Sequence, residues 1–75
     1  MARLPFTNRV RELRTLNNNL TQLELGKAIG VTRQTVIAIE QDRYSPSLES
    51  AFRIARLLNV ALEEVFIWRG DADAE

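Results

Sequence analysis

The stretch Gly30–Gln41, "GVTRQTVIAIEQ", carries the strongest structural signal in this 75-residue chain. Glycine favours the left-handed turn that ends one helix, and Thr32 is a good N-cap for the next helix. At ~100° per residue, Val36 and Ile39 fall on one face of the new helix and are expected to be buried. The opposite face carries Arg33, Gln34, Ile37 and Gln41. These four residues are expected at the surface.

The preceding residues predict a second short helix. In "TQLE", Thr21 and Glu24 can form a capping box, in which each side chain bonds the other residue's backbone amide. Gly26 lies inside this helix, where glycine costs up to ~1 kcal/mol relative to alanine. That cost is accepted where another helix crosses closely, so residues 22–41 are interpreted as a helix-turn-helix. Its first helix is expected to bury Leu25, Ala28 and Ile29.

Three further helices are predicted around this pair. The first begins after Thr7 or Asn8 and ends near Leu16, before the turn-forming "NNN". The fourth begins after Ser45 or Ser47, and a short fifth begins near Leu62, after a break at the asparagine of "LNVA". The fourth helix is expected to bury Leu48, Ala51, Ile54, Ala55 and Leu58. The predicted fold class is all-α, a compact five-helix domain.

The composition excludes several kinds of site. The chain has 45% hydrophobic and 27% charged residues, which is typical of a globular domain. It has no cysteine and no histidine, so disulfides and the commonest metal ligands and general bases are absent. It also lacks a phosphate-binding glycine loop and an apolar run of ~20 residues. We therefore expect a cytoplasmic protein that is not an enzyme and has no cofactor, metal, membrane or small-molecule partner.

The charge is unevenly distributed, although the formal net charge is zero. Residues 1–45 contain seven basic and four acidic residues, and residues 46–75 contain three basic and six acidic residues. The first part therefore carries +3 and the second −3. This asymmetry permits one side of the domain to face an anionic partner.

The segment "LTQLELGKAIGVTRQTVIAIEQDRYSPSLESAFRIARLLNVALEEVF" resembles the helix-turn-helix of the phage lambda repressor and Cro type, the xenobiotic-response-element family. Within that family it is similar to small stand-alone repressors of the cytolysin repressor type. The resemblance extends over roughly residues 8–68 and rests on "TQ", "VTRQTV", "IE", "YSPSL" and "LEEVF". It implies a lambda-repressor-like fold and a homodimer that binds operator DNA with its third helix in the major groove.

Three residues are candidates for contacts with DNA bases. Arg33 can bond guanine O6 and N7, Gln34 can bond adenine N6 and N7, and Ile37 can contact a thymine methyl group. The alternative is a solvated polar face with one stray exposed apolar residue. The position of these residues within the whole motif favours DNA contact for Arg33 and Gln34. For Ile37, contact with DNA and simple exposure to solvent are equally open.

Candidate phosphate contacts flank the third helix, where they would fix its position on the duplex without reading sequence. They offer amide, hydroxyl or guanidinium donors, and Tyr44 can instead, or in addition, pack against the fourth helix. The candidates are Gln22, Thr32, Thr35, Arg43, Tyr44 and Ser45.

Arg14 and Glu40 are expected to form a structural ion pair. Arg14 lies four residues after the inward-facing Val10, so it points partly inward and needs a partner. The family resemblance supplies Glu40 as that partner. The pair would fix helix orientation more than it would add net stability.

The end of the chain has more apolar surface than a core of this size requires. The resemblance implies a dimer contact within residues 61–68, with Leu62 and Val65 at the two-fold axis. "FIW" (66–68) can pair as a strand with "ARLPF" (2–6), where Pro5 restricts that strand to an edge. Alternatively, Trp68 covers the monomer core. The dimer candidates are Leu62, Val65, Phe66 and Trp68, within a domain of residues 1–69 followed by an acidic tail of residues 70–75.

A rival interpretation is a protein-interaction module, such as an antitoxin-like or regulatory subunit. An antitoxin usually needs an additional segment that wraps its toxin, and only seven residues follow Trp68. Steeply salt-dependent binding to a promoter fragment would favour the DNA-binding interpretation. Binding that is insensitive to salt and sequence would favour the rival.

Overall fold

The computed structural model describes residues 4–70. Five short helices and two short strands follow one another along the chain. They are β1 (Phe6–Asn8), α1 (Val10–Leu16), α2 (Gln22–Ile29), α3 (Arg33–Glu40), α4 (Leu48–Leu58), α5 (Leu62–Val65) and β2 (Phe66–Trp68). The prediction of a five-helix, mainly helical domain is confirmed. None of the helices within these residues is long and apolar enough to cross a membrane.

The starts of α2, α3 and α4 follow the predicted local signals, whereas α1 begins after Arg9, whose side chain forms no cap hydrogen bond. Thr21, Thr32 and Ser47 each accept a hydrogen bond from the backbone amide three residues later. Gly30 (φ 84°) ends α2 and Asn59 (φ 60°) ends α4, both in the left-handed conformation. Capping and turn residues of this kind satisfy backbone groups that a helix end leaves unpaired, so these boundaries were predictable from the sequence.

One apolar core joins all five helices. α2 and α3 contribute Leu25, Ile29, Val36 and Ile39, which are buried as predicted. Two predictions about buried faces were wrong, because Ala28 is exposed on α2 and Leu48 is 68% exposed at the start of α4. The remaining core residues are Val10, Ile54, Ala55, Leu58 and Val65. The Leu48 side chain is therefore part of the domain surface and not of the core.

The two ends of the domain meet in an antiparallel pair of strands. β1 and β2 align Phe6 with Trp68 and Asn8 with Phe66, and the rings of Phe6 and Phe66 pack edge to face with centroids 5.9 Å apart. The predicted pairing of "FIW" with the start of the chain is thus present, but its partner strand is Phe6–Asn8, which overlaps the predicted residues 2–6 only at Phe6. Pro5 lies just before the strand, and its backbone carbonyl accepts a hydrogen bond from the Arg69 amide at 2.8 Å.

The predicted acidic tail, residues 70–75, lies outside the described residues except for Gly70. The alternative that Trp68 covers the monomer core is wrong, because its side chain is 60% exposed.

Candidate nucleic-acid interface

α2 and α3 cross at Gly26. A Cβ atom added there would lie 2.8 Å from the carbonyl oxygen of Val31 and 3.3 Å from the carbonyl carbon of Thr32. These neighbours are backbone atoms and cannot rotate away, so only glycine permits the observed approach. The absent side chain thereby sets the distance between α2 and the first turn of α3.

The capping box at the start of α2 is complete. Thr21 accepts from the Glu24 amide at 3.0 Å, and Glu24 accepts from the Thr21 amide at 2.9 Å. Hydrogen bonding to Thr21, first from its backbone amide and then from its side chain, holds the pKa of the exposed Glu24 carboxyl below its ordinary value. The amides of Gln22 and Leu23 precede the capped position and remain at the open end of the helix.

The first turn of α3 faces outward. Arg33 and Gln34 are exposed, whereas Val36 and Ile39, on the other side of the helix, are buried. Among the described residues, Arg33 forms no ion pair. The guanidinium of Arg33 and the carboxamide of Gln34 therefore project together from the amino end of α3, where both can approach another molecule.

Thr32 and Thr35 share one hydrogen bond within the cap of α3. Their hydroxyl oxygens lie 3.1 Å apart, and Thr32 Oγ1 also accepts from the Thr35 amide. Two hydroxyls carry two protons, and the bond between them uses one. The other proton remains able to donate to an external acceptor.

A cleft of about 590 Å³ separates α1 from the first turns of α2 and α3, and is called the α1–α3 cleft below. Two of the predicted base-contact residues, Arg33 and Ile37, line it, and so does Gln22. Gln34 is not among its lining residues. Ile37 is half-buried in this cleft, so it is not a stray apolar residue on an open surface.

Arg14 and Glu40 lie at the floor of the same cleft. Arg14 donates to both carboxylate oxygens of Glu40, from Nε at 2.8 Å and from Nη2 at 3.2 Å. The two side chains are 13% and 5% exposed. Arg14 also donates to the Leu20 carbonyl at 2.9 Å, which ties the loop before α2 to α1 and α3.

Gln22 belongs to this network as well. Its Nε2 atom donates to Glu40 Oε1 at 3.0 Å. A carboxamide nitrogen carries two hydrogens, so one donor of Gln22 remains available on the cleft side. The buried ion pair thus orients a side chain that was predicted to contact phosphate.

The remaining phosphate candidates lie in the loop after α3. Arg43 is exposed and donates to Gln41 Oε1 at 3.2 Å, and Tyr44 is 50% exposed. Ser45 is exposed, and it lines a second, apolar groove on the surface of the domain. None of these three residues lines the α1–α3 cleft, so the candidates form two groups rather than one cluster.

Sequence reasoning missed Arg11 and Leu23, which both line the α1–α3 cleft. Arg11 is exposed on α1, three residues before Arg14, and residues at that spacing lie on neighbouring parts of one helix face. Because Arg14 was predicted to face partly inward, its position on α1 could have indicated that Arg11 lies beside the same cleft. Leu23 follows Gln22 directly, but no periodic pattern pointed to it.

The second groove has a volume of about 390 Å³, and is called the terminal groove below. It lies between the β1–β2 sheet, the start of α4 and α5. Leu62 and Phe66 are half-buried there, and Trp68 is exposed. The prediction that Val65 lies in a dimer interface is wrong, because its side chain is 0% exposed within the monomer core. The apolar side chains that line the groove are Phe6, Pro46, Leu48, Ala51, Leu62, Phe66 and Trp68.

A tight α2–α3 crossing with an exposed first turn on α3 defines a helix-turn-helix protein. Comparison with known proteins agrees, because the helix-turn-helix family matches residues 10–65. The chain belongs to this family, in its lambda repressor and Cro type, and its relatives are HTH-type transcriptional regulators.

Individual relatives support that assignment. An HTH-type transcriptional regulator of Methanocaldococcus jannaschii is 48% identical over 64 residues, which cover 85% of this chain and 96% of the relative. The transcriptional repressor RstR of the cryptic phage CTXphi, from Vibrio cholerae, is 33% identical over 80% of this chain and 53% of its own length. A solved protein of Bacteroides fragilis has the same fold, with a TM-score of 0.71 at 23% identity over 81% of this chain and 97% of that one.

Proposed function

We propose that this protein is a homodimeric repressor that reads a pseudo-palindromic DNA operator with α3. The observation that carries the proposal is the exposed amino-terminal turn of α3, on which Arg33 and Gln34 project beyond the buried face of the helix. In helix-turn-helix proteins the amino end of the second helix contacts base edges in the major groove. Arg33 would read guanine and Gln34 adenine.

The α1–α3 cleft suits a strand of the DNA backbone beside that helix. Arg11 and Arg33 bring positive charge to its walls, and Gln22 brings an oriented donor. The open amides at the start of α2 add further donors for a phosphate. In this arrangement Ile37 and Leu23 contact deoxyribose or a thymine methyl group at the edge of the groove.

The loop after α3 would contact a second stretch of phosphates. Arg43, Tyr44 and Ser45 offer a guanidinium and two hydroxyls, and the hydroxyl proton that remains on the Thr32–Thr35 pair offers a further donor. Contacts of this kind fix register and orientation and carry no sequence information directly.

The terminal groove is the proposed dimer surface, and the predicted dimer segment, residues 61–68, contributes Leu62, Phe66 and Trp68 to it. A single domain reads only a few base pairs, whereas a two-fold dimer reads two half-sites about one helical turn apart. Leu48 and Trp68 are large apolar side chains that the monomer leaves 68% and 60% exposed at this groove. Burying them against the same groove of a second copy would form a self-complementary interface.

Repression rather than activation is proposed because the relative RstR is a transcriptional repressor. A small domain that covers an operator can block access to that DNA by occupancy alone.

Selection of duplexes from a randomised library tests the proposal. The expected result is an inverted repeat whose binding weakens steeply with salt, because each phosphate contact releases a counterion. Half-sites are expected to be about 10 base pairs apart, centre to centre. Recovery of no preferred sequence, together with binding that does not depend on salt, would favour the protein-interaction alternative.

A Trp68→Ser variant tests the dimer independently of the library. It is expected to shift the protein towards monomer in analytical ultracentrifugation while leaving the helical circular dichroism unchanged, because the side chain lies largely outside the core. Leu16→Ser is the matched control, since Leu16 is also exposed, at 73%, but does not line the terminal groove. Equal behaviour of the two variants would argue against this interface.

A further inference from the structure

Asn8 joins three parts of the domain through one side chain. It is the last residue of β1 and lies two residues before the start of α1, where its Oδ1 accepts from the Val10 amide at 3.0 Å. Its Nδ2 donates to the Ile39 carbonyl and to Asp42 Oδ1, both at 2.8 Å. All three bonds are partly buried, so water competes with them less than it would at an open surface.

Asp42 receives these bonds just beyond the end of α3. Its backbone is left-handed (φ 59°), and its amide donates to the Ile39 carbonyl at 3.1 Å. Its second carboxylate oxygen accepts from Thr7 Oγ1 at 3.3 Å. Both oxygens of Asp42 are therefore bound to consecutive residues of β1, and the contact between Asp42, Thr7 and Asn8 is called the strand clamp below.

The strand clamp connects the two surfaces of the proposed function. α3 carries the proposed base-reading residues, and β1 pairs with β2, which belongs to the proposed dimer segment. The core holds α3 through Val36 and Ile39, chiefly against α2. The terminal sheet is anchored to the core by Phe66 and by α5, from which β2 continues, and the Arg9 amide, just after β1, donates to the Val65 carbonyl of α5 at 2.8 Å.

We infer that Asn8 and Asp42 are positioning residues that fix the angle between α3 and the two-fold axis of the dimer, and so set the spacing of the two half-sites. This inference rests on the proposed function. Without the strand clamp the core would still fold and α3 would still carry its base-reading side chains. The two α3 helices would, however, be held less firmly relative to each other, and duplexes with altered spacing would be better tolerated.

Asp42→Gly is the variant that isolates the strand clamp. Glycine adopts positive φ without strain, so the end of α3 is retained while the carboxylate is lost. Asp42→Asn keeps both a left-handed residue and an oxygen that can accept from Asn8, so it should behave as wild type. Asn59→Gly is the matched control, because it places glycine at the left-handed end of α4 (φ 60°), away from the strand clamp.

Binding is measured with the duplex that the wild-type protein selects, and with the same duplex carrying one base pair more or one fewer between the half-sites. One base pair rotates a half-site by about 34°, so wild type should bind the altered duplexes at least about tenfold more weakly. For Asp42→Gly we expect that penalty to fall to about threefold or less. Asp42→Asn and Asn59→Gly should retain the wild-type penalty.

A folded, dimeric Asp42→Gly protein that keeps the full penalty would overturn the inference, and so would one whose preferred bases change, because that would make Asp42 a reader. Circular dichroism and sedimentation establish fold and assembly beforehand. Failure of the proposed function looks different, since wild type would then select no inverted repeat at all.

Discussion

The α2–α3 pair and the α5–β2 segment both join two short elements, but they are specified differently. α2 and α3 follow Thr21 and Thr32, whose side chains cap the helices, and a left-handed glycine separates them. α5 follows Ala61, which has no capping side chain, and passes directly into β2. The first region is determined by neighbours in sequence, whereas the second depends on pairing with the other end of the chain.

Because of this difference, the two regions are suited to different kinds of contact with other molecules. A rigid, locally specified pair can present side chains to a partner with little rearrangement, as base readout requires. A terminal segment that leaves large apolar side chains exposed is suited to association with another surface. Substitutions that act on one region and spare the other therefore test the comparison.

The largest expected effect comes from Arg14→Met. Arg14 provides the principal long-range polar link of the α2–α3 region, and its removal leaves the Glu40 carboxylate, 5% exposed, without a charge partner. Loss of one member of a buried ion pair costs about 3–5 kcal/mol in the free energy of unfolding. Urea denaturation followed by circular dichroism measures this change.

The double variant Arg14→Met with Glu40→Met is the control, because replacing both charges by apolar side chains is often close to neutral. Most of the lost stability should return. A single variant that loses less than about 1 kcal/mol, the range of an exposed pair, would mean that water reaches Glu40 and that the pair is not an organising contact.

Gly26→Ala should be the next largest. The added Cβ meets the Val31 carbonyl at 2.8 Å, so the α2–α3 crossing must open. Overpacking of this kind costs about 1–3 kcal/mol, and the better helix propensity of alanine returns up to about 1 kcal/mol. Thermal unfolding measures the net loss, and DNA affinity should fall with it.

Ala28→Gly is the matched control in the same helix, because Ala28 is exposed and lies on a different face of α2 from Gly26. It should show only the propensity cost, about 1 kcal/mol. If Gly26→Ala stabilised the protein instead, the crossing would not require glycine, and the first region would be less tightly packed than described.

The same contrast explains what the sequence could predict. The helix boundaries of α2 and α3 and the outward face of Arg33 and Gln34 follow from caps and periodicity, which are local. Val65 was assigned to an interface because apolar residues cluster near it, but apolar character alone does not distinguish a core position from a surface one. Its burial depends on how α5 packs on the rest of the core, which is a long-range property.

For Leu48 the error was the opposite one, because it was predicted to be buried and is exposed. It lies three residues before Ala51 on the apolar stripe of α4, yet only the later residues of that stripe reach the core. The first turn of a helix can extend beyond the element it packs against. The contacts of Asn8 and Asp42 were also inaccessible to sequence reasoning, because the two residues lie 34 positions apart and neither belongs to a motif.

Gln34→Ala tests the readout assigned to the first region. The variant should lose about 1–3 kcal/mol of discrimination at one operator position and little at the others, because a carboxamide can bond one adenine through two hydrogen bonds. Mobility-shift assays on duplexes substituted base by base measure this change. Unchanged preference at every position would mean that Gln34 is not a base reader.

Arg43→Ala is the corresponding variant in the loop after α3, which is proposed to contact phosphates. It should weaken binding to all sequences alike and lower the slope of log affinity against log salt by about 1. A loss confined to one sequence would instead assign Arg43 to base readout. Together the two variants separate reading from positioning within the α3 region.

The smallest expected effect tests the second region, at the helix start that lacks a side-chain cap. Glu64 already accepts from the Ala61 amide at 2.8 Å, so half of a capping box is present at α5. Ala61 has an extended backbone (φ −72°, ψ 152°), close to that of the capping residue Thr32.

Ala61→Ser should complete the box and stabilise the domain by about 1 kcal/mol, measured as a higher urea midpoint. Ala61→Val, which adds bulk without an acceptor, should give no such gain. If serine and valine behaved alike, the start of α5 would be fixed by its packing alone, and the lack of a local signal there would carry no energetic cost.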